Sequence, residues 1–362
     1  MTRALRALAA ALPALLASAV TVAVAAADYP AVVPDHALEF PRDYASHPSF
    51  RLEWWYVTGW LETASHENLG FQITFFRTRP SIEENNPSQF APRQLLIAHC
   101  ALSDPAHGSL WHDQRIRREG FGLAAAPPSE PRVWIDDWQL ARGNDAYRAE
   151  IKARDFALEL TLRPSQPPML NGDRGFSQKA PSARAASYYY SEPHLQVGGR
   201  IVRAGRATAV SGAAWLDHEW SSEYLSPAAV GWDWIGLNLD DGGALMAFRL
   251  RDRSGRPYWS AGTLRDGDGT VHRLGPADVE FLPRRYWRSP RTAIDYPVSF
   301  LVRAGTRRIG LEPLMADQEN DARASSGAIY WEGAVWASEA GRRIGRGYLE
   351  LTGYGSALQL GR

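Results

Sequence analysis

From Asp28 onward the 3.6-residue period of amphipathic helices almost disappears, and apolar and polar residues alternate with a period of two. Leu69, Phe71, Ile73 and Phe75 are separated by Gly70, Gln72 and Thr74, and Phe156, Leu158, Leu160 and Leu162 by Ala157, Glu159 and Thr161. Such segments are predicted to be half-buried strands, one face in a core and the other elsewhere. The run Ile235 to Leu239, the turn residues Asp240-Asp241-Gly242-Gly243 and the run Leu245 to Leu250 predict a hairpin, and Asp266-Gly267-Asp268-Gly269 a second tight turn. Strand patterns recur at short spacing from Trp54 to Tyr354, with only a brief helix expected over Pro276 to Leu282. The expected fold is therefore all-β, built of antiparallel barrels or sandwiches and not of β-α-β units.

Two Pro/Gly/Ser-rich stretches interrupt this pattern, Pro164 to Ala186 and Ser221 to Gly231. The second separates two dense aromatic blocks and contains Pro227, so it is taken as a domain boundary. This gives domains over 28–225 and 226–362, each long enough for one small barrel.

Residues 1–27 have a different composition. Arg3 and Arg6 precede an apolar Ala/Leu/Val run, and Ala25-Ala26-Ala27 supplies small residues before Asp28. That layout is a secretory signal with cleavage expected near Ala27 and a periplasmic or secreted product. An uncleaved anchor is the alternative, because the run nearly reaches membrane-spanning length. No cysteine follows it, which excludes a lipid-modified cysteine.

Charge narrows the range of partners. Lys plus Arg and Asp plus Glu both number 40, so no basic surplus exists to neutralise nucleic-acid phosphate. Only Lys152 and Lys179 are lysines; every other cation is a guanidinium that neither loses its proton nor forms an imine. One cysteine, Cys100, excludes an internal disulfide or a cysteine-based metal cage.

Candidate chemistry follows the aromatics, which include 14 tryptophans. The densest cluster is Trp215-Leu216-Asp217-His218-Glu219-Trp220. On a strand, Trp215, Asp217 and Glu219 face one way and Leu216, His218 and Trp220 the other, so His218 and Trp220 line one wall. An imidazole beside an indole face suits an apolar, unsaturated substrate, because the ring stabilises a developing cation. A hydrogen-bonded core histidine among packing tryptophans is the competing reading, with Asp217 and Glu219 paired to arginine. Glu53-Trp54-Trp55-Tyr56 and Trp232-Asp233-Trp234 place acids against indoles, where desolvation raises a carboxyl pKa toward that of a proton donor. An ion-paired strand-end carboxylate is the ordinary alternative. His99 interrupts an apolar run, as satisfied core histidines often do.

No nucleophile elbow, zincin helix, P-loop or dinucleotide fingerprint occurs. Metal binding by His99, His218 and Asp217 or Asp233 finds no supporting ligand spacing, so neither metal nor organic cofactor is expected.

Seven blocks in order resemble the AttH and carotenoid hydratase-like family of secreted, lipocalin-like proteins. They are Glu53-Trp54-Trp55-Tyr56-Val57-Thr58-Gly59, Phe71 to Arg77, Ala98-His99-Cys100-Ala101-Leu102-Ser103-Asp104, Tyr188-Tyr189-Tyr190-Ser191, Gly212 to Trp220, Gly231-Trp232-Asp233-Trp234 and Tyr330-Trp331-Glu332-Gly333. The resemblance implies two lipocalin-like barrels in tandem with a pocket between or within them. It also implies cofactor-independent hydration of an isoprenoid double bond: protonation, a carbocation, and capture by water. On that analogy His218 positions water, Trp220 is the cation-stabilising wall, and the proton comes from Asp233, or failing that Asp217. Trp54, Trp55, Tyr56, His99, Tyr189, Trp232, Trp234, Trp331 and Glu332 are expected to line the ligand site. The expected function is binding of an apolar, isoprenoid or lipid-like ligand, with hydratase or hydrolase chemistry on it. The rival readings are a non-catalytic carrier of hydrophobic molecules and an accessory subunit of an ABC-type exporter.

Overall fold

The computed structural model describes residues 29–80 and 86–358. The expected signal over 1–27 lies outside them. Among the described residues there is no α-helix, only one 3-10 turn at Arg42–Tyr44, and none is long and apolar enough to cross a membrane. The period-two patterns become two antiparallel sheets. Correspondingly the helix expected over Pro276 to Leu282 is corrected: a turn there leads into the strand Val279–Arg288, because Val279 and Phe281 alternate inward while Glu280 and Leu282 face out.

The first sheet has thirteen strands. Its central members run in the order Leu95–Ser103, Asn68–Thr78, Leu52–Thr63, Arg206–Ser221, Ala186–Arg203 and Phe156–Arg163. The sheet curls until its outer strand Trp111–Arg118 touches Arg132–Ile135 near the opposite edge, making a nearly closed barrel. Trp55, Val57, Phe71, Ile73, Phe75, Leu216 and Trp220 fill it. The stretch Pro164 to Ala186, rich in turn residues, contributes two short strands that pair with Ala186–Arg203.

The second sheet has ten strands, centred on Ala244–Arg251, Gly231–Leu239, Arg342–Leu351 and Ala328–Glu339. This sheet also bends back, bringing Val279–Arg288 at one end against Ala244–Arg251 and Pro257–Arg265 near the other, so that it forms a second barrel with Ile235, Leu237, Phe300, Trp331, Val335 and Leu349 as its core. The first sheet's last strand ends at Ser221 and the second sheet begins at Gly231.

A third apolar cluster lies between the sheets, from residues one position out of phase with the two cores: Tyr56, Trp60, Tyr189, Trp215, Trp234, Met246, Phe248 and Tyr348. Strands buried on both faces explain why some segments here read as nearly continuous apolar runs. The sheets pack tightly at Gly70, where a Cβ would lie 2.7 Å from both the Ala334 methyl and the Tyr348 hydroxyl. Trp60 Nε1 donates to the Gly347 carbonyl at 2.9 Å, and Ser103 donates to Gln318 at 2.6 Å, so polar bonds as well as area join the halves.

Candidate active site between the sheets

Strand alternation decides which predicted residues meet. On Arg206–Ser221, Trp215, Asp217 and Glu219 face the second sheet, whereas His218 and Trp220 point into the first barrel. On Leu52–Thr63, Trp54 and Tyr56 face the inter-sheet space and Trp55 the barrel. Across the gap Trp232, Trp234 and Glu332 come to meet them. Trp331 and Asp233, one residue out of phase, point into the second barrel. The expectation that Asp217, His218 and Asp233 share a cavity is thus corrected: they occupy three separate interiors, divided by two sheets. Trp55, Trp220 and Trp331 likewise lie away from the inter-sheet space. Trp331 Nε1 is bonded to the Ala316 carbonyl at 2.8 Å.

Asp233 is fully buried and saturated. Arg249 Nε donates to it at 2.8 Å, Arg251 Nε at 3.1 Å and the Tyr354 hydroxyl at 2.8 Å, with a further bond from the second Arg249 nitrogen. A carboxyl whose oxygens are taken up by two guanidinium groups and a phenol is not free to reach a substrate, so its role as first-choice donor is corrected too. His99 is equally committed, bonded to the Tyr330 hydroxyl at 2.8 Å and to Ser325 at 2.9 Å across the gap; burial lowers its pKa to about 3.

The inter-sheet space holds more acid than base. Asp217 Oδ1 accepts bonds from Ser191 and from Trp215 Nε1, both at 2.6 Å, and Oδ2 accepts one from Tyr189 at 2.6 Å. Trp234 Nε1 in turn donates to the Tyr189 oxygen at 3.1 Å. Burial outweighs these donors and pushes Asp217 up to about 7. Glu219 is paired with Lys179 at 2.8 Å, not with the arginine expected, and its pKa is raised by burial. Lys179 sits over the rings of Phe248, Tyr189 and Tyr224 at 4.3, 5.0 and 5.2 Å, and burial lowers its pKa.

Glu332 and Glu350 lie directly opposite each other on neighbouring strands and face the same space. Burial, then the Glu350 charge, raise Glu332 well above the usual carboxylate range. Glu350 is partly buried, bonded by Trp232 Nε1 at 2.9 Å, and pushed by burial up to about 7. Like charges on directly opposed strand residues repel, so the pair holds a proton near neutrality. Glu332 Oε1 and the Tyr56 hydroxyl are buried without a hydrogen-bond partner, and such orphans mark where water or a ligand atom is needed.

A cleft of about 460 Å³ opens beside this cluster, lined by Leu52, Ala185, Tyr224, Leu225, Ala229 and Tyr258, with Arg51 and Arg184 also on its walls. Tyr224 separates cleft from cluster: its ring is 4.8 Å from Trp54 and 5.9 Å from Trp232 on the inner side. The sequence reading missed Lys179, Glu219 as a site residue, Tyr224 and Glu350. Lys179, one of two lysines in the chain, was the available signal. Glu350 carries none, lying in an ordinary alternating strand.

The second polar centre is inside the first barrel. Glu53 Oε1 receives His218 Nε2 and His47 Nδ1, each at 2.8 Å, and Oε2 receives Arg77 Nε at 2.8 Å. Burial by itself raises Glu53, but Arg77 and the imidazoles bring it well below the usual range. His218 and Trp220 do share a wall, their rings 5.0 Å apart. The metal donor set once conceivable from sequence, His99 with His218 and an acid, is not assembled. His99 and Asp217 face the gap between the sheets, whereas His218 and Asp233 are each enclosed in a barrel.

The AttH-like family model matches residues 31–354. The chain belongs to the AttH-like family. A protein from Nitrosomonas europaea provisionally assigned as an AttH is 55% identical, with a TM-score of 0.85, over 90% of this AttH-like chain and 99% of its own. Kievitone hydratase from Nectria haematococca shares the fold at 13% identity, TM-score 0.68, covering 91% of this chain and 97% of its own. CghA is similar at 14% identity, TM-score 0.54, covering 86% and 90%. No curated protein matches in sequence. The AttH-like chain therefore has a lipocalin-like, all-β fold that it shares with kievitone hydratase over 91% of its length.

Proposed function

We propose that the protein is a cofactor-independent hydratase for an apolar, unsaturated small molecule that enters through the cleft at Tyr224. The Glu332 and Glu350 pair supplies the proton. A carboxyl O–H transfers its proton to one alkene carbon while the π pair forms the new C–H bond, leaving a carbocation at the other carbon. Trp54, Trp232 and Trp234 border the space and stabilise that charge through their ring faces. Water then bonds to the cation, and its surplus proton returns to the carboxylate, restoring the enzyme. A carboxyl pushed up to about 7, as that of Glu350 is, serves both steps at neutral pH. The observation carrying this reading is the facing glutamate pair, with Glu332 Oε1 and the neighbouring Tyr56 hydroxyl left without a well-formed hydrogen bond. The distant likeness to a hydratase supports it at the level of fold. The composition of residues 1–27 supports action outside the cytoplasm, which cell fractionation would check.

The test is turnover of polyene and isoprenoid alkenes in H2(18)O, followed by mass spectrometry. Oxygen-18 in the product and a loss of roughly a hundredfold or more in E350Q and E332Q are expected. Full turnover in both variants overturns the assignment. Recovery of bound ligand unchanged by wild-type protein indicates the carrier instead.

A further inference from the structure

The polar centre inside the first barrel takes no part in that chemistry, and its geometry has another use. His47 Nδ1, His218 Nε2 and Glu53 Oε1 lie within 4.8 Å of one another. Every other polar atom of these three groups is already held from outside. His47 Nε2 faces Asp43 Oδ1 at 3.4 Å, and His218 Nδ1 is bonded to the Tyr190 hydroxyl at 3.0 Å. Glu53 Oε2 accepts from Arg77 Nε at 2.8 Å and from the His47 backbone N–H at 2.9 Å.

The ring planes are fixed as well. His47 stacks on Trp220 with centroids 3.7 Å apart and planes 7° from parallel, and His218 stacks on Trp55 at 4.8 Å. The three inward atoms satisfy one another through protons, and Glu53 Oε1 also accepts the His47 backbone N–H at 3.0 Å. Outer partners that orient the imidazoles and leave two nitrogens and one carboxylate oxygen converging are the arrangement metal sites require.

We propose that His47, Glu53 and His218 bind a zinc ion inside the first barrel. Zinc bonds of about 2.0 Å in tetrahedral geometry place ligand atoms about 3.3 Å apart. The two imidazole nitrogens stand 2.8 Å from Glu53 Oε1 and all three atoms lie within 4.8 Å of one another, so uptake moves that oxygen back by about half an ångström and draws the two nitrogens in toward the ion. Arg77 offsets part of the carboxylate charge, which disfavours calcium or magnesium, ions that need several oxygen ligands. Imidazole donors favour zinc among common divalent ions. A water molecule would complete the tetrahedron.

The full chain, purified without a polyhistidine tag and stripped with chelator, is titrated with Zn2+ by calorimetry and with Co2+ by visible absorption. One ion per chain is expected, with the strong Co2+ absorption of a low-coordinate site. H47Q should abolish uptake, and D43N should weaken it about tenfold to a hundredfold by freeing the His47 ring. His47 is at the edge of the barrel, so H47Q is expected to fold, as its circular dichroism will show; D43N provides the reading should it not. Absence of uptake by the wild-type chain, or equal uptake by wild type, H47Q and D43N, overturns the proposal. None of these readouts depends on turnover, so the zinc site and the hydratase assignment stand or fall separately.

Discussion

Two buried carboxylates on one sheet, separated by the strand Arg342–Leu351, have opposite fates. Asp233, inside the second barrel, accepts bonds from two guanidinium groups and a phenol. Glu332, only one sheet face away, has a partnerless oxygen and a second glutamate opposite it. The first is an interaction completed for the fold. The second is left incomplete, and leaving a buried group unsatisfied costs free energy that the fold alone has no reason to spend. The contrast teaches that burial of an acid says little about function until its partners are known.

Breaking the completed side gives the largest effect. Asp233→Ala strands Arg249 and Arg251 in the second barrel, and arginine has no neutral form to fall back on. A loss of about 3–5 kcal/mol is expected from denaturant unfolding.

Asp217→Asn sharpens the other side through its pH dependence. The folded-state pKa of Asp217 is raised to about 7 from 3.8, so the unfolded state ionises first. Its contribution is fully present below pH 3.8 and is lost as pH rises through 7. Over that window the stability difference should shift toward the variant by about 1.4 kcal/mol per pH unit. Comparing wild type with D217N at each pH cancels every other titrating group. A flat difference would place Asp217 in contact with water.

Lys179→Met should cost less than the Asp233 change, about 1–3 kcal/mol, because Glu219 can take up a proton once its cation is gone. Equal losses for the two variants would erase the distinction between locked and adjustable carboxyls. The smallest effect is expected at the exposed Arg200 and Glu159 pair, joined by two bonds of 2.8 Å on the first sheet. Arg200→Ala should change stability by less than about 1 kcal/mol, since solvent already screens the pair.

The local pattern by itself determined a good deal. Period-two alternation specified strands, their turns and an all-β chain, because a strand's side chains must alternate between two environments. The same rule placed His218 with Trp220 and Asp217 with Trp215, and the motif blocks identified the family. What alternation cannot state is which environment each face meets. Asp233 and Trp234 are adjacent, yet one is sealed beneath arginines in a barrel and the other faces the sheet opposite. That depended on how two curled sheets pack, and on residues far apart in the chain such as Tyr56, Glu332 and Glu350. Partners of a buried charge come from long-range contacts, so only the tertiary structure decided which carboxyls were paired with cations and which were left without a full set of partners.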